Sequence, residues 1–475
     1  MLFAMKLALL LAVSVELNPF LARMRQFSGP VWSAHLSAVV HVNEGGTMTE
    51  LHEESAGPRF ISSRCDGVLC NGTYFDGRRL YAIDINGTML PLTDSSNLLL
   101  RAERMVASLS FLAPDFAARG GRIVDEGISA FEGAPYRALV LSAGDGIAAR
   151  IYVDPRTAAV RYMQNLDGDV TVEYRDYTKV ADRYHLPQRI FENGSLFERY
   201  DTFAVLAAPL SPPRGLVASF AARPAVVATD PQQATPIFPC TLGGIATTCL
   251  LDSGNSGLSI SLSLAEELKA PALGSFGVQG LGDYATEVVR AGDLQIGTMT
   301  LPAANYVVLH DIDRYGYRVV LGADAFATTT VDIDSAAHRV TFGAAAPVSG
   351  IPLSFEEFVP VVDVLLGAVP ARLAIDTGDE SSINLAYDFY QAHRDLFALT
   401  GERSVSGIGG NSVEMMGTIP QVQIGSLSIA SAPIGTTREM HGTAFGHIGV
   451  GLLRRFNVTI DYASGLLELT PPVSR

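Results

Sequence analysis

Two segments of the chain end an apolar run with the same aspartate–hydroxyl–glycine triplet, and this duplication constrains the fold more than any other feature. The first segment is CLLDSGNSGLSIS, at 249–261, and the second is RLAIDTGDESSINLA, at 372–386. An apolar run of this length is typical of a buried strand. The small residues after each aspartate add almost no bulk and allow the backbone to turn. The pattern indicates two copies of one β-rich unit.

The residues that follow each triplet support the duplication. A glycine-rich loop comes next, GVQGLGD in the first copy and SVSGIGGNS in the second, and then an apolar–apolar–glycine element. The spacings agree: Asp252 precedes Gly280 by 28 residues and Gly322 by 70, while Asp376 precedes Gly407 by 31 and Gly449 by 73. We therefore expect two tandem lobes, at 234–346 and 347–475.

These paired elements resemble the pepsin-like and retropepsin-like aspartic proteases. The shared residues are the two D-[ST]-G triplets, the two glycine-rich loops, and the elements Val320-Leu321-Gly322 and His447-Ile448-Gly449, over roughly 235–472. The compact copies are more similar to two fused retropepsin units than to the longer pepsin lobes. The resemblance implies a mainly β fold, a bilobal double β-barrel, and one active site built by both copies within a monomer.

The resemblance also implies roles for the residues of the triplets. Asp252 and Asp376 would form a catalytic dyad that shares one proton and activates water against a peptide bond, so the expected activity is that of an aspartic endopeptidase. Hydrolysis needs one carboxylate to accept a proton and another group to donate one. The supporting loop would be formed by Ser253, Gly254, Thr377 and Gly378.

The glycine-rich loops are expected to be flaps that close over an extended peptide. The candidate flap residues are Gly280, Gly282, Gly407 and Gly409. Without the duplication, ordinary hairpin turns would explain these glycines equally well. Tyr284 follows the first loop and is either a substrate contact or a surface aromatic residue.

Four residues depart from the family pattern. Asn255 follows the first triplet, Asp379 and Glu380 follow the second, and His447 stands where an apolar residue is usual. An extra carboxylate beside the dyad should disfavour its ionised form and shift the working pH, or it marks a copy that no longer catalyses. The alternative function is therefore a non-catalytic envelope protein that binds a peptide or lipid-linked ligand. In a further alternative, each copy pairs with its counterpart in another chain.

The four cysteines form two close pairs, which suits local disulfides in an oxidising compartment. The pairs are Cys65 with Cys70 and Cys240 with Cys249. Small buried hydrophobic residues are the other interpretation, because only geometry decides whether two sulfurs meet. The spacings do not match zinc sites and the histidines are scattered, so no metal and no cofactor is expected.

The first half of the chain has a different character. Residues 1–22 contain a nine-residue apolar stretch behind Lys6, which predicts a signal peptide and export to the periplasm or the exterior. Residues 23–204 carry hairpin signals such as Asp76-Gly77 and Asn86-Gly87, and a helix is expected from Asp94 to about Leu112 behind a Thr93-Asp94 cap. An antiparallel β-meander with one packed helix is predicted, similar in pattern alone to the bacterial lipoprotein-carrier half-barrel. A Pro/Ala-rich linker is expected at 205–233.

Composition excludes some partners. The formal net charge is −15 and no basic cluster is visible, which argues against nucleic acid. Hydrophobic residues make up 48% of the chain and charged residues 17%, as in well-buried globular proteins. No long apolar run follows the predicted signal, so no integral membrane segment is expected after its cleavage. The expected partner is a peptide or protein substrate.

Overall fold

The computed structural model describes residues 17–92, 97–278, 280–437 and 445–472. Strands account for 53% of the chain and helices for 14%, which confirms the prediction of a mainly β protein. The described residues divide into two compact units. The first contains 17–65, Gly72–Tyr81 and 97–212, and the second contains Asp66–Asn71, 82–92 and the residues from Pro213 onward.

A 13-stranded sheet, in the order β6-β5-β4-β3-β2-β1-β13-β12-β11-β10-β9-β8-β7, dominates the first half of the chain. Consecutive strands are neighbours almost throughout, and glycines with positive φ, such as Gly77 and Gly194, form turns between them. Two stretches of this region, Asp66–Asn71 and 82–92, group with the second unit, which the sequence did not predict. The strands are β1 (His35–Glu44), β2 (Thr47–Ala56), β3 (Arg59–Asp66), β4 (Leu69–Phe75), β5 (Leu80–Ile83), β6 (Met89–Pro91), β7 (Arg122–Phe131), β8 (Ala134–Ser142), β9 (Ala148–Val153), β10 (Val160–Gln164), β11 (Thr171–Val180), β12 (Tyr184–Glu192) and β13 (Ser195–Val205).

Two helices pack in the core of the first unit. Helix α1 occupies 17–28 and buries Phe20 and Met24, and helix α2 (Asn97–Ala107) buries Met105 and Val106 in the same cluster. Helix α2 is shorter than the predicted 94–112 because Leu109 takes a left-handed conformation, after which Ser110–Leu112 forms a 3-10 turn. The predicted Thr93-Asp94 cap lies outside the described residues.

Helix α1 bears on the predicted signal peptide. Residues 1–16 lie outside the described part of the chain, whereas 17–22 belong to α1. Leu21 is buried in the same core cluster. A leader that ended at residue 22 would therefore remove side chains that pack in the first unit.

The second unit contains three sheets. A ten-stranded sheet has the order β14-β22-β21-β16-β17-β24-β18-β23-β20-β19, an eight-stranded sheet the order β28-β29-β30-β35-β31-β34-β33-β32, and a six-stranded sheet the order β15-β26-β25-β36-β37-β27. The strands are β14 (Ser219–Phe220), β15 (Ala225–Ala228), β16 (Ile237–Leu242), β17 (Ile245–Leu251), β18 (Leu258–Ser261), β19 (Ala272–Val278), β20 (Tyr284–Ala291), β21 (Leu294–Ile296), β22 (Met299–Leu301), β23 (Ala304–Leu309), β24 (Val319–Leu321), β25 (Val331–Asp334), β26 (Arg339–Phe342), β27 (Ile351–Pro352), β28 (Ser354–Glu356), β29 (Val359–Leu366), β30 (Val369–Ile375), β31 (Ile383–Ala386), β32 (Ala398–Gly407), β33 (Gly410–Ile424), β34 (Leu427–Thr437), β35 (Gly446–Ile448), β36 (Asn457–Asp461) and β37 (Leu466–Thr470).

The strand pairings of the two larger sheets correspond. β17 runs parallel to β24, β24 antiparallel to β18, and β18 parallel to β23. β30 runs parallel to β35, β35 antiparallel to β31, and β31 parallel to β34. In the six-stranded sheet, β25 pairs with β36, so the two halves of the unit contribute adjacent strands to it. Asp252 follows directly after β17, and Asp376 follows directly after β30, the corresponding strand.

The predicted linker at 205–233 is partly strand. It contains β14, which pairs with β22, and β15, which pairs with β26, and it buries Ala225 and Val227. Within the described residues, no helix combines the length and apolar character needed to cross a membrane. The helices of the second unit are short: α3 (Leu262–Leu268), α4 (Ala323–Thr328), α5 (Tyr387–Ala392) and α6 (Val450–Leu453).

Candidate active site

Asp252 and Asp376 lie at the ends of buried strands, on loops that the apolar–apolar–glycine elements hold in place. The backbone N–H of Asp252 donates to the carbonyl of Leu321 at 2.9 Å, and that of Asp376 donates to the carbonyl of Ile448 at 3.0 Å. The preceding residues, Leu251 and Ile375, are fully buried. The apolar runs seen in the sequence therefore anchor the two loops in the core.

The hydroxyl residues of the two triplets bind each other crosswise. The Ser253 N–H donates to Thr377 Oγ1 at 3.0 Å, and the Thr377 N–H donates to Ser253 Oγ at 3.1 Å. Each hydroxyl also donates across the pair, from Ser253 to the Ile375 carbonyl at 2.6 Å and from Thr377 to the Leu251 carbonyl at 2.8 Å. Both side chains are buried, so every one of these bonds is shielded from water.

The glycines of the triplets are required by the opposite aspartate. A Cβ at Gly254 would lie 2.6 Å from Cγ of Asp376, and one at Gly378 would lie 2.3 Å from Cγ of Asp252. The Gly254 N–H donates to Asp252 Oδ1 at 2.8 Å, and the Gly378 N–H donates to Asp376 Oδ1 at 2.9 Å. The structure thus brings the two carboxyl groups together, each packed against the glycine of the opposite triplet.

Burial and mutual repulsion keep a proton on this pair. Burial raises the pKa of Asp252 well above its usual range, and the charge of Asp376 raises it further. Burial also raises the pKa of Asp376, but the positive charge of His447 opposes that shift. The pair titrates as a unit. The pair therefore holds one shared proton, and the positive charge of His447 stabilises the remaining negative charge on the Asp376 side.

Asp379 and His447, two of the residues that depart from the pattern of the resembled proteases, form an ion pair beside Asp376. His447 Nε2 lies 3.0 Å from Asp379 Oδ2, and the Asp379 N–H donates to Asp376 Oδ1 at 3.1 Å. Burial lowers the pKa of His447, but Asp379 outweighs burial and raises it to about 9. Burial raises the pKa of Asp379, but His447 outweighs it and holds that pKa well below its usual range. The extra carboxylate is therefore balanced by a cation.

The two glycine-rich loops form hairpin tips that touch. The hairpins are β19–β20 and β32–β33, and the Leu281 N–H donates to the Ile408 carbonyl at 2.8 Å. A Cβ added at Gly280 would lie 2.3 Å from the carbonyl oxygen of Ile408, and one at Gly282 would lie 2.5 Å from the carbonyl oxygen of Gly409. On the other hairpin, a Cβ at Gly407 would lie 3.2 Å from Leu281 Cδ1, and one at Gly409 would lie 2.0 Å from the carbonyl oxygen of Gly282. All four predicted flap glycines lie at this contact.

A cleft of about 1570 Å³ is lined by both aspartates and by the tips of both hairpins. Tyr284 also lines it, and its ring stacks on His310 at a centroid distance of 5.3 Å. The size is enough for an extended peptide. Asp332 and Asp461 lie in the six-stranded sheet, where they accept hydrogen bonds from Thr459 and Thr330.

The cysteines are all in disulfides. Cys240 and Cys249 join β16 to β17, the hairpin that leads into Asp252, with a Cα–Cα distance of 5.9 Å. Cys65 and Cys70 are also disulfide-bonded. The Cys240–Cys249 disulfide therefore fixes β17, the strand that precedes Asp252, to β16.

The sequence did not identify a second buried acid pair, Asp84 with Asp324. Asn86 Nδ2 donates to Asp324 Oδ2 at 2.8 Å, and the Thr88 hydroxyl donates to Asp324 Oδ1. Burial raises the pKa of Asp84 well above its usual range, and Asp324 raises it further. The only available signal was Asn86-Gly87, which indicated a turn but not its position. Asp84 lines the same cleft.

Among the described residues, one group could hold a metal ion: Asp376, Asp379 and His447 offer ligand atoms within 4.8 Å of one another. A histidine binds a metal ion only as a neutral imidazole. The raised pKa of His447, about 9, keeps it protonated near neutral pH, and its charge already neutralises Asp379. This chemistry opposes cation binding.

Comparisons with known proteins give little. No protein-family profile matches the chain, and no curated protein matches it. One similar solved structure is a retropepsin-like aspartic protease from Rickettsia conorii, with 21% sequence identity and a TM-score of 0.19. The match covers 22% of this chain and 86% of that chain.

Proposed function

We propose that the protein is an aspartic endopeptidase whose site is formed by Asp252 and Asp376 of one chain. The observation that carries the proposal is the reciprocal fit of the two triplets: each glycine faces the opposite carboxyl group, and each hydroxyl residue binds the opposite loop. Burying two carboxyl groups against each other costs free energy of folding. Such costly pairs are found mainly at functional sites, where a shared proton takes part in the chemistry.

In the proposed reaction, the ionised Asp376 accepts a proton from a water molecule while the oxygen of that water attacks the peptide carbonyl carbon. Asp252 donates its proton to the carbonyl oxygen, which gives a neutral tetrahedral diol. Asp376 then returns a proton to the amide nitrogen as the C–N bond breaks, and Asp252 recovers one from the diol. The Gly378 and Asp379 N–H groups, together with His447, favour the ionised form of Asp376.

The proposed architecture is the bilobal double β-barrel that the family resemblance implies, with 234–346 and 347–475 as lobes and the hairpin tips as flaps. The corresponding pairings around β17 and β30 support it. Because both aspartates come from one chain, the active species should be a monomer. Activity that co-elutes with a monomer in gel filtration would test this.

We also propose that the protein is exported. The apolar stretch behind Lys6 and the disulfide between Cys240 and Cys249 support an oxidising compartment. Mass analysis of the N-terminus of the protein produced in its native host would test it. We expect cleavage near Ala12 or Ser14, which would leave α1 intact.

The decisive test is cleavage of a peptide library between pH 3 and 7. The Asp252→Asn and Asp376→Asn variants should each lose about 10²–10⁴-fold or more in kcat/KM, because each removes one partner of the proton exchange. Asp332→Asn is the matched control, since Asp332 lies in the six-stranded sheet. A pepstatin-type inhibitor should block the unmodified protein.

The alternative of a non-catalytic binding protein predicts another result. Peptides would then bind the unmodified protein without turnover at any pH. Turnover that survives both dyad substitutions would exclude the proposed mechanism.

A further inference from the structure

The two halves of the second unit present different side chains at corresponding positions around the cleft. The register Ile237–Leu250 in the first half matches Val361–Ala374 in the second, so positions correspond with an offset of 124. The carbonyls of Asn255 and Asp379 accept equivalent bonds from Ala323 and Val450, which extends the match past the triplets. The corresponding sets are Gln232, Gln233, Asn255 and Ser256 in the first half, and Glu356, Glu357, Asp379 and Glu380 in the second.

The same contrast holds deeper in the cleft. Strand register makes three residues of the first half, Val307, Leu309 and Val320, equivalent to three of the second. Their equivalents are Gly435, Thr437 and His447, in that order, because each pairs with the corresponding residue of β18 or β31. On the first side, Leu309 and Val320 belong to an apolar cluster that also contains Ile312. On the second side, Glu414 is buried against Arg403 and lines the cleft. At these inner positions the first side of the cleft is therefore apolar and the second polar.

Most of the charges on the second side are already neutralised. Asp379 pairs with His447, Glu414 with Arg403, and Glu356 with Arg372 at 2.6 Å. Glu357 and Glu380 are exposed and line the cleft, and neither has an ion-pair partner among the described residues. On the first side, exposed Asp283 and the guanidinium of Arg314 offset each other in charge. A net negative charge of about two remains on the second side.

Glu357 is held in an unusual conformation at the edge of the cleft. It takes φ 47° and the next residue, Phe358, takes φ 72°, at the tip of the β28–β29 hairpin. Two consecutive non-glycine residues in the left-handed region are strained, and such strain is concentrated at functional positions. The turn fixes the position of the Glu357 backbone beside the cleft.

Buried polar atoms without partners line the same side. Among the described residues, Asn384 Oδ1, Thr437 Oγ1 and Ser381 Oγ have no hydrogen-bond partner, and each residue is more than nine-tenths buried. All three residues line the cleft. The Tyr284 hydroxyl and Asp84 Oδ2, elsewhere in the lining, also have no partner among the described residues. A buried oxygen that accepts no hydrogen bond is costly, and a donor that arrives with a ligand would satisfy it. An ammonium or guanidinium side chain bound in the cleft would supply such donors to Asn384, Thr437 and Ser381.

We infer that the cleft is chemically polarised, with a subsite for a lysine or arginine side chain on the second side and a subsite for an apolar side chain on the first. Glu357 and Glu380 would attract the cation, and Asn384, Thr437 and Ser381 would accept its hydrogen bonds. The inference rests on the proposed peptidase function for its kinetic test, since it names the substrate class of the same site.

The experiment uses peptides that differ only in lysine or norleucine at each of three positions on either side of the scissile bond. Lysine should raise kcat/KM about tenfold on one side of the bond only, because two partly solvated ion pairs contribute about that factor. The preference should weaken as salt rises, since exposed charges are screened.

Matched variants locate the effect. Glu357→Gln with Glu380→Ser gives the second side the residues of the first and should abolish the lysine preference. The reverse exchange, Gln233→Glu with Ser256→Glu, should add a lysine preference on the other side of the scissile bond. Thermal denaturation of both double variants checks that they fold. Equal kcat/KM for lysine and norleucine peptides, or an equal loss of preference in both variants, would overturn the inference.

Binding separates this inference from the peptidase proposal. Fluorescence anisotropy with the same peptides measures affinity whether or not they are cleaved. If no peptide is cleaved but lysine peptides bind the unmodified protein about tenfold more tightly, the peptidase proposal fails and the cation subsite stands. If peptides are cleaved without charge preference and bind with equal affinity, the subsite is excluded and the dyad proposal is unaffected.

Discussion

The first half of the second unit surrounds its aspartate with neutral groups, whereas the second half places ions around its own. Asn255 Nδ2 donates to the Gly257 carbonyl at 2.8 Å, while at the corresponding position Asp379 pairs with His447. The same arrangement of strands accommodates both sets. The strands therefore determine where the two aspartates lie, while the neighbouring side chains determine how the pKa of each aspartate is shifted.

The largest expected effect comes from breaking the ion pair on one side only. His447→Val introduces the residue that the first half has at Val320 and leaves Asp379 without a counter-ion. The two side chains are 18% and 29% exposed, so the loss should be about 3 kcal/mol of unfolding free energy, the lower end of the range for breaking a buried pair. Urea denaturation near neutral pH measures it.

The matched control replaces both members of the ion pair by the neutral residues of the first half. The double variant His447→Val with Asp379→Asn should recover most of the lost stability, because no isolated charge remains. A double variant no more stable than His447→Val alone would show that the ion pair does not account for the loss.

A second contrast between the halves is the disulfide. Val364 and Leu373 occupy the positions that correspond to Cys240 and Cys249, and both are buried. The double variant Cys240→Val with Cys249→Leu introduces the residues of the second half and removes the disulfide. Because this disulfide joins residues nine apart, its loss should lower the free energy of unfolding by about 2–3 kcal/mol. Denaturation of the variant beside the oxidised protein measures it, and equal midpoints would contradict it.

A third contrast concerns Glu414, for which the first half has Thr286. A Cβ at Gly435 would lie 1.8 Å from Glu414 Oε1, so Gly435→Ala should destabilise the protein by about 2 kcal/mol. Glu414→Thr in the same chain should relieve most of that loss. Gly401→Ala is the control, because no atom lies within 4 Å of a Cβ there. Equal stability of the two alanine variants would be inconsistent with the proposed clash.

The smallest expected effect is a pH dependence that only the second half should show. The pKa of His447 is raised to about 9 in the folded state, so its stabilisation is fully present below about 6.5 and is lost as the pH rises through 9. We expect a loss of about 1–2 kcal/mol between pH 7 and 9. The double variant His447→Val with Asp379→Asn should lose less, and identical pH profiles would rule out His447 as the source.

The sequence was sufficient to predict a mainly β chain and the residues that meet at the site. Apolar runs before Asp252 and Asp376, with small residues after them, identify strand ends that can approach closely. The glycines of the two hairpin tips were visible for the same reason, because loop glycines at matched spacing are distinctive. These features depend on local pattern, which the sequence displays directly.

Features that depend on distant partners could not be predicted. Asp379 appeared to be a destabilising charge because its partner, His447, lies 68 residues further along the chain. The sequence indicated only a turn at Asn86-Gly87, since nothing near Asn86 indicates contact with Asp324. The α2 boundary was missed because the left-handed Leu109 has no distinctive residue type.

The buried bonds from Asn86 and Thr88 to Asp324 have a practical consequence for dissecting the protein. A fragment that began at Pro213 would contain both aspartate triplets and yet lack the loop that covers a carboxylate in helix α4. Such a truncation would expose an uncompensated acid in the interior of the remaining unit. Poor solubility or lack of turnover in that fragment would therefore reflect damage from the cut, and assays of the chemistry belong with the full-length polypeptide.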